Sequence, residues 1–362
     1  MPARLAASFA VIATLLPALA PAADEAAVKA AIAKASAFLA TCQDEQGSFK
    51  ADLGPAVSGL AVTALVRSGT PADDPVVKKG LDYLLSFRQP DGGIYSPDSP
   101  VANYETSIAM LALAACNAEG RLADEIDGAE KYVKKLQWDD DEGKPAADPA
   151  FGGAGYGKKS RPDLSNTAFM IEALRTVGES ESDPAIQRAL VFVSRTQNLP
   201  GPGNPLPFPD KNPDGGFYYT PANGGESQAG TTENGGLRSY ASMTYAGLKS
   251  MIFAGLKPDD PRVKAATEWL KKHYTFEENP GMGQAGLYYF YHTASKALGV
   301  LGADRFTDAA GQAHDWRDEL TTALLARQRA DGSWANPNER WMEGEPVLTT
   351  AYALLALANC AK

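Results

Sequence analysis

Ser58–Leu65 (SGLAVTAL), Thr106–Leu113 (TSIAMLAL), Thr167–Leu174 (TAFMIEAL), Thr244–Met251 (TYAGLKSM), Thr293–Val300 (TASKALGV) and Thr350–Leu357 (TAYALLAL) are six versions of one segment, each opening on a hydroxyl and continuing in small and apolar residues. Apolar residues run nearly all the way round a helix drawn through any of them, so each reads as a buried helix. Ahead of each lies an amphipathic segment, near residues 25–41, 75–88, 123–137, 184–197, 261–273 and 316–328. Lys78, Lys79, Lys134, Lys135, Arg188, Lys271 and Lys272 mark the solvent-facing sides of these segments. Three of them open on Asp-Pro, at Asp74-Pro75, Asp183-Pro184 and Asp260-Pro261. There the aspartate can accept from the open N–H groups of a first turn, and the proline takes the first helical position, where its missing N–H costs nothing.

A buried helix needs cover on its outward face, so six buried helices alternating with six amphipathic ones predict an inner ring wrapped by an outer ring. An open solenoid of the same pairs would need polar caps at both ends. The last inner segment, Thr350–Cys360, is as apolar as the central ones, which points to closure against the first repeat. The expected fold is all-α, a closed (α/α)6 toroid forming one domain over residues 24–362, with strand signals nearly absent.

Composition agrees with a large core: 362 residues, 44% of them hydrophobic and 22% charged. The net charge of -10 and the absence of a lysine or arginine stripe argue against a nucleic-acid partner. Cys42, Cys116 and Cys360 are too few and too scattered for a disulfide framework, and are expected as free thiols buried like small hydrophobes. The first 23 residues read as a secretory signal: Arg4, an apolar run from Leu5 to Leu16, then Ala20-Pro21-Ala22, with cleavage after Ala22 or Ala23. No later stretch is apolar enough to span a bilayer, so the mature protein is expected to be soluble and exported, periplasmic or extracellular.

Between outer and inner helices lie Gly-rich turns: Gln328-Arg-Ala-Asp331-Gly332-Ser333-Trp334, Gln43 to Phe49, Asp91-Gly92-Gly93-Ile94-Tyr95 and Asp214-Gly215-Gly216-Phe217-Tyr218. The first resembles the Q-x-x-D-G-S-W motif of the squalene cyclase and prenyltransferase repeat family, and the others resemble degraded copies. Asp-Gly makes the tight turn, the glutamine can cap backbone groups and the aromatic plugs the gap between neighbours, so these motifs are structural. The resemblance spans about residues 25–361. It implies a cavity inside the inner ring, which in the family holds an isoprenoid chain.

The chemistry implied by the resemblance is altered in this sequence. Family cyclases protonate a double bond with the middle aspartate of D-x-D-D-T-A. Here the stretch is Asp163-Leu164-Ser165-Asn166-Thr167-Ala168, with Ser165 at the proton donor's position. A serine hydroxyl does not protonate an alkene. The chain also resembles one toroid, without the cyclases' second helical domain. Protein prenyltransferase β subunits hold zinc with an aspartate, a cysteine and a histidine in a Y-H-T context. Tyr291-His292-Thr293 resembles the last of these, while Gly235 to Thr244 carries neither aspartate nor cysteine. No D-D-x-x-D pair for magnesium diphosphate is present, and Cys116-Asn117-Ala118-Glu119 lacks the glutamine of a thioester site. No metal site and no cofactor are expected.

Polar and aromatic residues should collect where each inner helix begins. Asp163, Glu105 and His292 are the candidate acids or bases. Tyr104, Ser165, Asn166, Tyr240, Tyr245, Tyr288, Tyr289, Tyr291, Trp341 and Glu345 are the candidate ligand-binding residues. Their structural alternative is an aromatic-filled barrel with carboxylates capping helix starts, which for Glu105 and Glu345 is the stronger reading. His292 is as well explained by core packing, and His273 and His314 are expected at the surface. Gly152 to Gly157 is expected to be a turn, since it lacks the strand and Lys-Ser/Thr of a phosphate loop. Asn198 to Gly236 is a long irregular insert of the kind used for lids and binding loops.

The leading functional expectation is an exported toroid binding an apolar or isoprenoid-type ligand. Any catalysis would be squalene cyclase-like, of isomerase or lyase type, with a non-standard acid. The alternatives are a non-catalytic scaffold for a peptide, glycan or envelope protein, and a glycan-processing enzyme with paired carboxylates.

Overall fold

A computed structural model describes residues 24–361. The signal segment proposed for residues 1–23 lies outside the described residues. Six inner helices form the ring: α2 (Pro55–Arg67), α4 (Ala102–Cys116), α6 (Leu164–Thr176), α9 (Ala241–Phe253), α11 (Leu287–Leu301) and α13 (Pro346–Cys360). Each packs on the next, and α13 returns to pack on α2, so the toroid is closed. Outside them lie α1 (Glu25–Cys42), α3 (Pro75–Leu85), α5 (Ala123–Lys135), α7 (Pro184–Arg195), α10 (Pro261–Lys272) and α12 (Trp316–Leu325). The insert contributes the one-turn helix α8 (Phe208–Lys211), and strands β1 (Phe306–Thr307) and β2 (Ala313–His314) pair ahead of α12. Asp74, Asp183 and Asp260 cap α3, α7 and α10 as expected, accepting from backbone N–H groups of the first turn. Several outer helices stop two or three residues before their amphipathic pattern does, because those residues already belong to the Gly-rich turn.

The turns hold the rings together through two recurring bonds. The first comes from the hydroxyl that opens the inner segment. Ser58, Thr106, Thr244 and Thr350 accept from the backbone N–H of the turn aromatic or isoleucine, namely Phe49, Ile94, Phe217 and Trp334, each at 3.1 Å. Thr167 accepts from Ala154 at 3.0 Å. Thr293 departs from the pattern and donates within its own helix, to Tyr289 and Phe290.

The second bond comes from the turn glutamine, which donates to a carbonyl of the next outer helix: Gln43 to Val76, Gln137 to Ala185, Gln197 to Arg262 and Gln328 to Ala31. Gln328 thereby ties the last turn to the first helix. Gly332 lies at φ +91 with its α-carbon so close to α1 that a Cβ would meet the Lys34 carbonyl oxygen at 2.5 Å, which is why the turn demands glycine. Gly152 repeats that approach against Arg188. The stretch from Gly152 to Gly157 opens on a turn at Gly152 and continues as irregular chain, and Gln137 with Gly152 forms a further copy of the motif. Its halves are separated by residues 138–151, which hid it in the sequence.

All three cysteines are free; Cys116 and Cys360 are buried and Cys42 is half-buried. His273 is exposed, but His314 departs from the surface expectation. It is half-buried, with Nδ1 at 2.8 Å from Glu319 and Nε2 at 3.3 Å from Asp308.

Candidate functional site: a tyrosine-walled cavity

The inner helices begin around a cavity of about 300 Å³. Leu53, Ala56 and Val57 come from the start of α2 and the turn before it, and Leu348 and Tyr352 from α13. Val101 and Tyr104 stand at the start of α4, Ser165 and Phe169 on α6, Ser242 and Met243 on α9, and Tyr289 on α11. Irregular segments close the rest with Tyr156, Tyr219, Gln228, Tyr240, Trp341, Met342 and Glu343. The walls thus carry six tyrosines and two further aromatic rings.

The rim is unusual. Tyr156, Trp341 and Met342 are 40%, 43% and 47% exposed, and they are the large hydrophobic side chains left exposed among the described residues. Trp341 and Met342 also hold φ of 56° and 63°, left-handed values that side chains other than glycine adopt at a cost of about 1–3 kcal/mol each. Arg340 lies over the Trp341 ring at 4.2 Å and donates to Gln228 Oε1 at 2.6 Å, joining this loop to the long insert across the opening.

Asp163 caps α6, accepting from the Asn166 backbone at 2.9 Å and from Asn166 Nδ2 at 2.8 Å. It is buried beside the Tyr219 hydroxyl, and burial pushes its pKa up to about 6. Asp163 and Asn166 stand behind the wall, whereas Ser165 faces the cavity and shares a 2.9 Å hydrogen bond with the Tyr289 hydroxyl. Glu343 is a buried carboxylate on the wall, accepting from Asn336 Nδ2 at 2.7 Å and from the Tyr289 N–H at 2.8 Å. Burial raises its pKa.

Below the cavity, His292 lies between Phe169 and Tyr352, with ring centroids 6.4 and 5.6 Å away and interplanar angles of 15° and 25°. Neither ring nitrogen has a hydrogen-bond partner, and burial lowers its pKa to about 3. Deeper still, Glu172 of α6 pairs with Lys249 of α9 and, at 3.4 Å, with Lys296 of α11. Desolvation works against the Glu172 charge, but the two ammonium groups outweigh it and hold the carboxyl well below its usual range. Among the described residues, no group of three histidine, cysteine, aspartate or glutamate side chains converges as metal ligands.

Of the residues singled out from sequence, Tyr104, Ser165, Tyr240, Tyr289 and Trp341 line the cavity. Tyr245, Tyr288 and Tyr291 do not. Tyr245 packs on Phe290, Tyr288 meets Tyr291 edge-on, and the Tyr291 hydroxyl donates to the Phe276 carbonyl at 2.6 Å. Glu105 accepts from the Ser96 N–H at 3.2 Å and fastens the loop ahead of α4. Glu345 caps α13, accepting from the Val347 N–H at 3.4 Å, and pairs with Lys50 at 3.3 Å. Neither glutamate lines the cavity. Tyr156, Tyr219, Gln228 and Glu343 were not singled out. They sit in irregular segments, where no periodicity says which way a side chain points. Tyr352 was hidden inside a run read as core, although a lone tyrosine in TAYALLAL was a usable signal.

Comparison with known proteins agrees with this geometry. Residues 49–208 match the family model of the squalene-hopene cyclase C-terminal domain. No curated protein sequence matches the chain. The type II terpene cyclase MstE from Scytonema is 13% identical, with 92% of this chain and 98% of that one covered and a TM-score of 0.55. Protein geranylgeranyltransferase-I from Candida albicans, solved with GGPP, is 12% identical over 90% of each chain, with a TM-score of 0.57. An α-amylase from Clostridium perfringens is 12% identical over 91% of this chain and 97% of that one, with a TM-score of 0.55. At these identities the structural likenesses establish the toroid.

Proposed function

We propose that this chain, whose repeats and fold are similar to those of the squalene cyclase and prenyltransferase toroids, is an exported protein that binds an apolar, isoprenoid-type ligand at the inner-helix starts. The observation that carries this reading is the cavity itself: aromatic and aliphatic walls with a few polar groups, and an apolar rim open to solvent. Its volume of about 300 Å³ is at the lower end of the range for small-molecule sites. The terpene cyclase MstE and the GGPP-bound Candida enzyme lend the isoprenoid class its weight.

Binding is favoured over turnover by the state of the acid. Protonating an alkene takes a strong acid, and a carboxyl whose pKa is raised to about 6 is a weak one. Asp163 moreover does not line the cavity and lies beside the hydroxyl of Tyr219, which does. The paired carboxylates of a glycan-processing enzyme find little support, since one carboxylate, Glu343, lines the cavity.

Native mass spectrometry with lipid extraction, on mature protein from the exported fraction, tests the proposal. A co-purifying isoprenoid or related lipid is the expected result. A protein that arrives empty and takes up no squalene-like chain overturns it. Turnover of such a chain that Asp163→Asn abolishes would overturn the preference for binding. Export is tested in the same preparation by the mature N-terminus, expected at Ala23 or Asp24, and retention of the whole chain in the cytoplasm refutes it.

A further inference from the structure

The cavity wall divides by chemistry. The inner helices follow one another as α2, α4, α6, α9, α11, α13 around the ring, so α2 and α13 form one arc and α6, α9 and α11 the opposite one. The first arc carries Ala56, Val57 and Leu348, with Leu53 beside them and Tyr352 of α13 as the aromatic ring on its helices. The second is crowded by tyrosines: Tyr289 on α11, Tyr240 at the start of α9, and Tyr219, whose carbonyl accepts from the first residue of α6. Glu343 stands on this arc, accepting from the first turn of α11, and Asp163 lies behind Tyr219.

No lysine or arginine among the described residues lines the cavity. The nearby cations are placed elsewhere. Arg340 is at the rim on the Trp341 ring, Arg161 lies outside the lining, 5.9 Å from the Tyr219 ring and paired with Glu226 at 2.6 Å, and Lys249 lies below, 5.9 Å from the Phe169 ring and paired with Glu172. Arg340 shows that an aromatic face of this site already accepts a cation.

Ring faces carry the negative part of the aromatic quadrupole, and a carboxylate adds a full charge. An anionic head such as a diphosphate or a carboxylate would surrender its water here and gain no cationic partner on the wall. A quaternary or tertiary ammonium is the opposite case, because ring faces replace its weak hydration without needing directed hydrogen bonds. We infer that the cavity takes an amphiphilic organic cation, its ammonium head against the Tyr219, Tyr240, Tyr289 and Glu343 arc and its apolar tail along the Ala56, Val57 and Leu348 arc. This rests on the reading of the cavity as a ligand site and adds to it the charge of the ligand.

The test is calorimetric titration of the mature chain with three probes: hexyltrimethylammonium, its neutral isostere with carbon in place of nitrogen, and heptanoate. The cation is expected to bind about ten- to thirtyfold more tightly than the neutral isostere, the gain typical of a desolvated aromatic cage. Heptanoate is expected to bind more weakly than both. Tyr240→Leu and Tyr289→Leu, each confirmed folded by thermal melting, should bring the cation-to-neutral ratio towards one. A neutral isostere that binds as tightly as the cation, or heptanoate binding best, overturns the inference while leaving the cavity a ligand site. If no probe binds and no lipid is taken up, both readings fall.

Discussion

His292 and Asp163 are buried groups that titrate in opposite senses, and this sets an acid response. The folded pKa of His292, about 3, lies below its ordinary 6.5, so the unfolded chain takes up the proton first. Its contribution is full above pH 6.5 and is lost as pH falls towards 3, by up to about 1.4 kcal/mol per pH unit. Asp163 is raised to about 6 from 3.8, so its contribution is present below 3.8 and is lost as pH rises through 6. His292→Phe keeps a ring between Phe169 and Tyr352 and removes one of the two titrations. Urea unfolding at about pH 7 and pH 4.5 should show the variant losing less stability on acidification than the parent, by about 2–3 kcal/mol. Equal losses in the two proteins would mean that His292 is solvated and titrates normally. Sequence reading reached these two residues because each stands in a motif, Asp163-Leu-Ser-Asn-Thr-Ala and Tyr291-His292-Thr293. Glu343 stands in no motif, and its place on the wall depends on the left-handed turn at Trp341 and Met342 that precedes it.

The inner helix is where periodicity was most informative and its opening hydroxyl least understood. Six buried segments were visible from small apolar residues, and the hydroxyl at the head of each was visible as a pattern without a role. The structure supplies the role in five of the six, where the hydroxyl accepts from an N–H of the preceding turn. Replacing such a residue by an isosteric apolar one leaves a buried N–H unpaired. Thr244→Val should therefore cost about 1–3 kcal/mol, because the Phe217 N–H has no water to turn to. Thr293→Val is the internal control. Its hydroxyl serves carbonyls that already belong to helical bonds, so its loss should cost well under half as much. Chemical denaturation of both variants checks the contrast, and equal costs would mean that the turn bond contributes little. The same bond explains why the Gly-rich turns vary without loss of architecture. The Phe49, Ile94, Phe217 and Trp334 turns differ in side chain, but each presents its backbone N–H to the hydroxyl.

Closure of the ring was legible from the apolarity of Thr350–Cys360, since an open solenoid could not leave that helix uncovered. A cavity was implied, but whether it stayed open was not legible, because that depends on loops such as 336–345 and on which tyrosines turn inward. Closure also has a consequence for how the protein opens. In an open array of repeats the terminal ones contact a single neighbour and unravel first. Here α13 packs on α2 as well as α11, and α1 packs on both α12 and α13, with the Gln328 to Ala31 bond across the seam. The inner helices beside the seam therefore have as many neighbours as those opposite it. Native-state hydrogen exchange should show the slowest amides of α2 and α13 exchanging with the same free energy as those of α6 and α9, through global unfolding. Gln328→Ala should lower that shared value by about 1 kcal/mol and leave the four helices together, because one hydrogen bond is small beside the apolar contact of α13 with α2. If α2 and α13 instead exchanged markedly faster than α6 and α9 in the parent protein, the seam would be a weak point and the toroid would behave as a bent solenoid. That outcome would also change how a ligand reaches the cavity. Val57 and Leu348 come from the two helices at the seam, so a seam that opens on its own would provide an entrance independent of the Tyr156, Trp341 and Met342 rim.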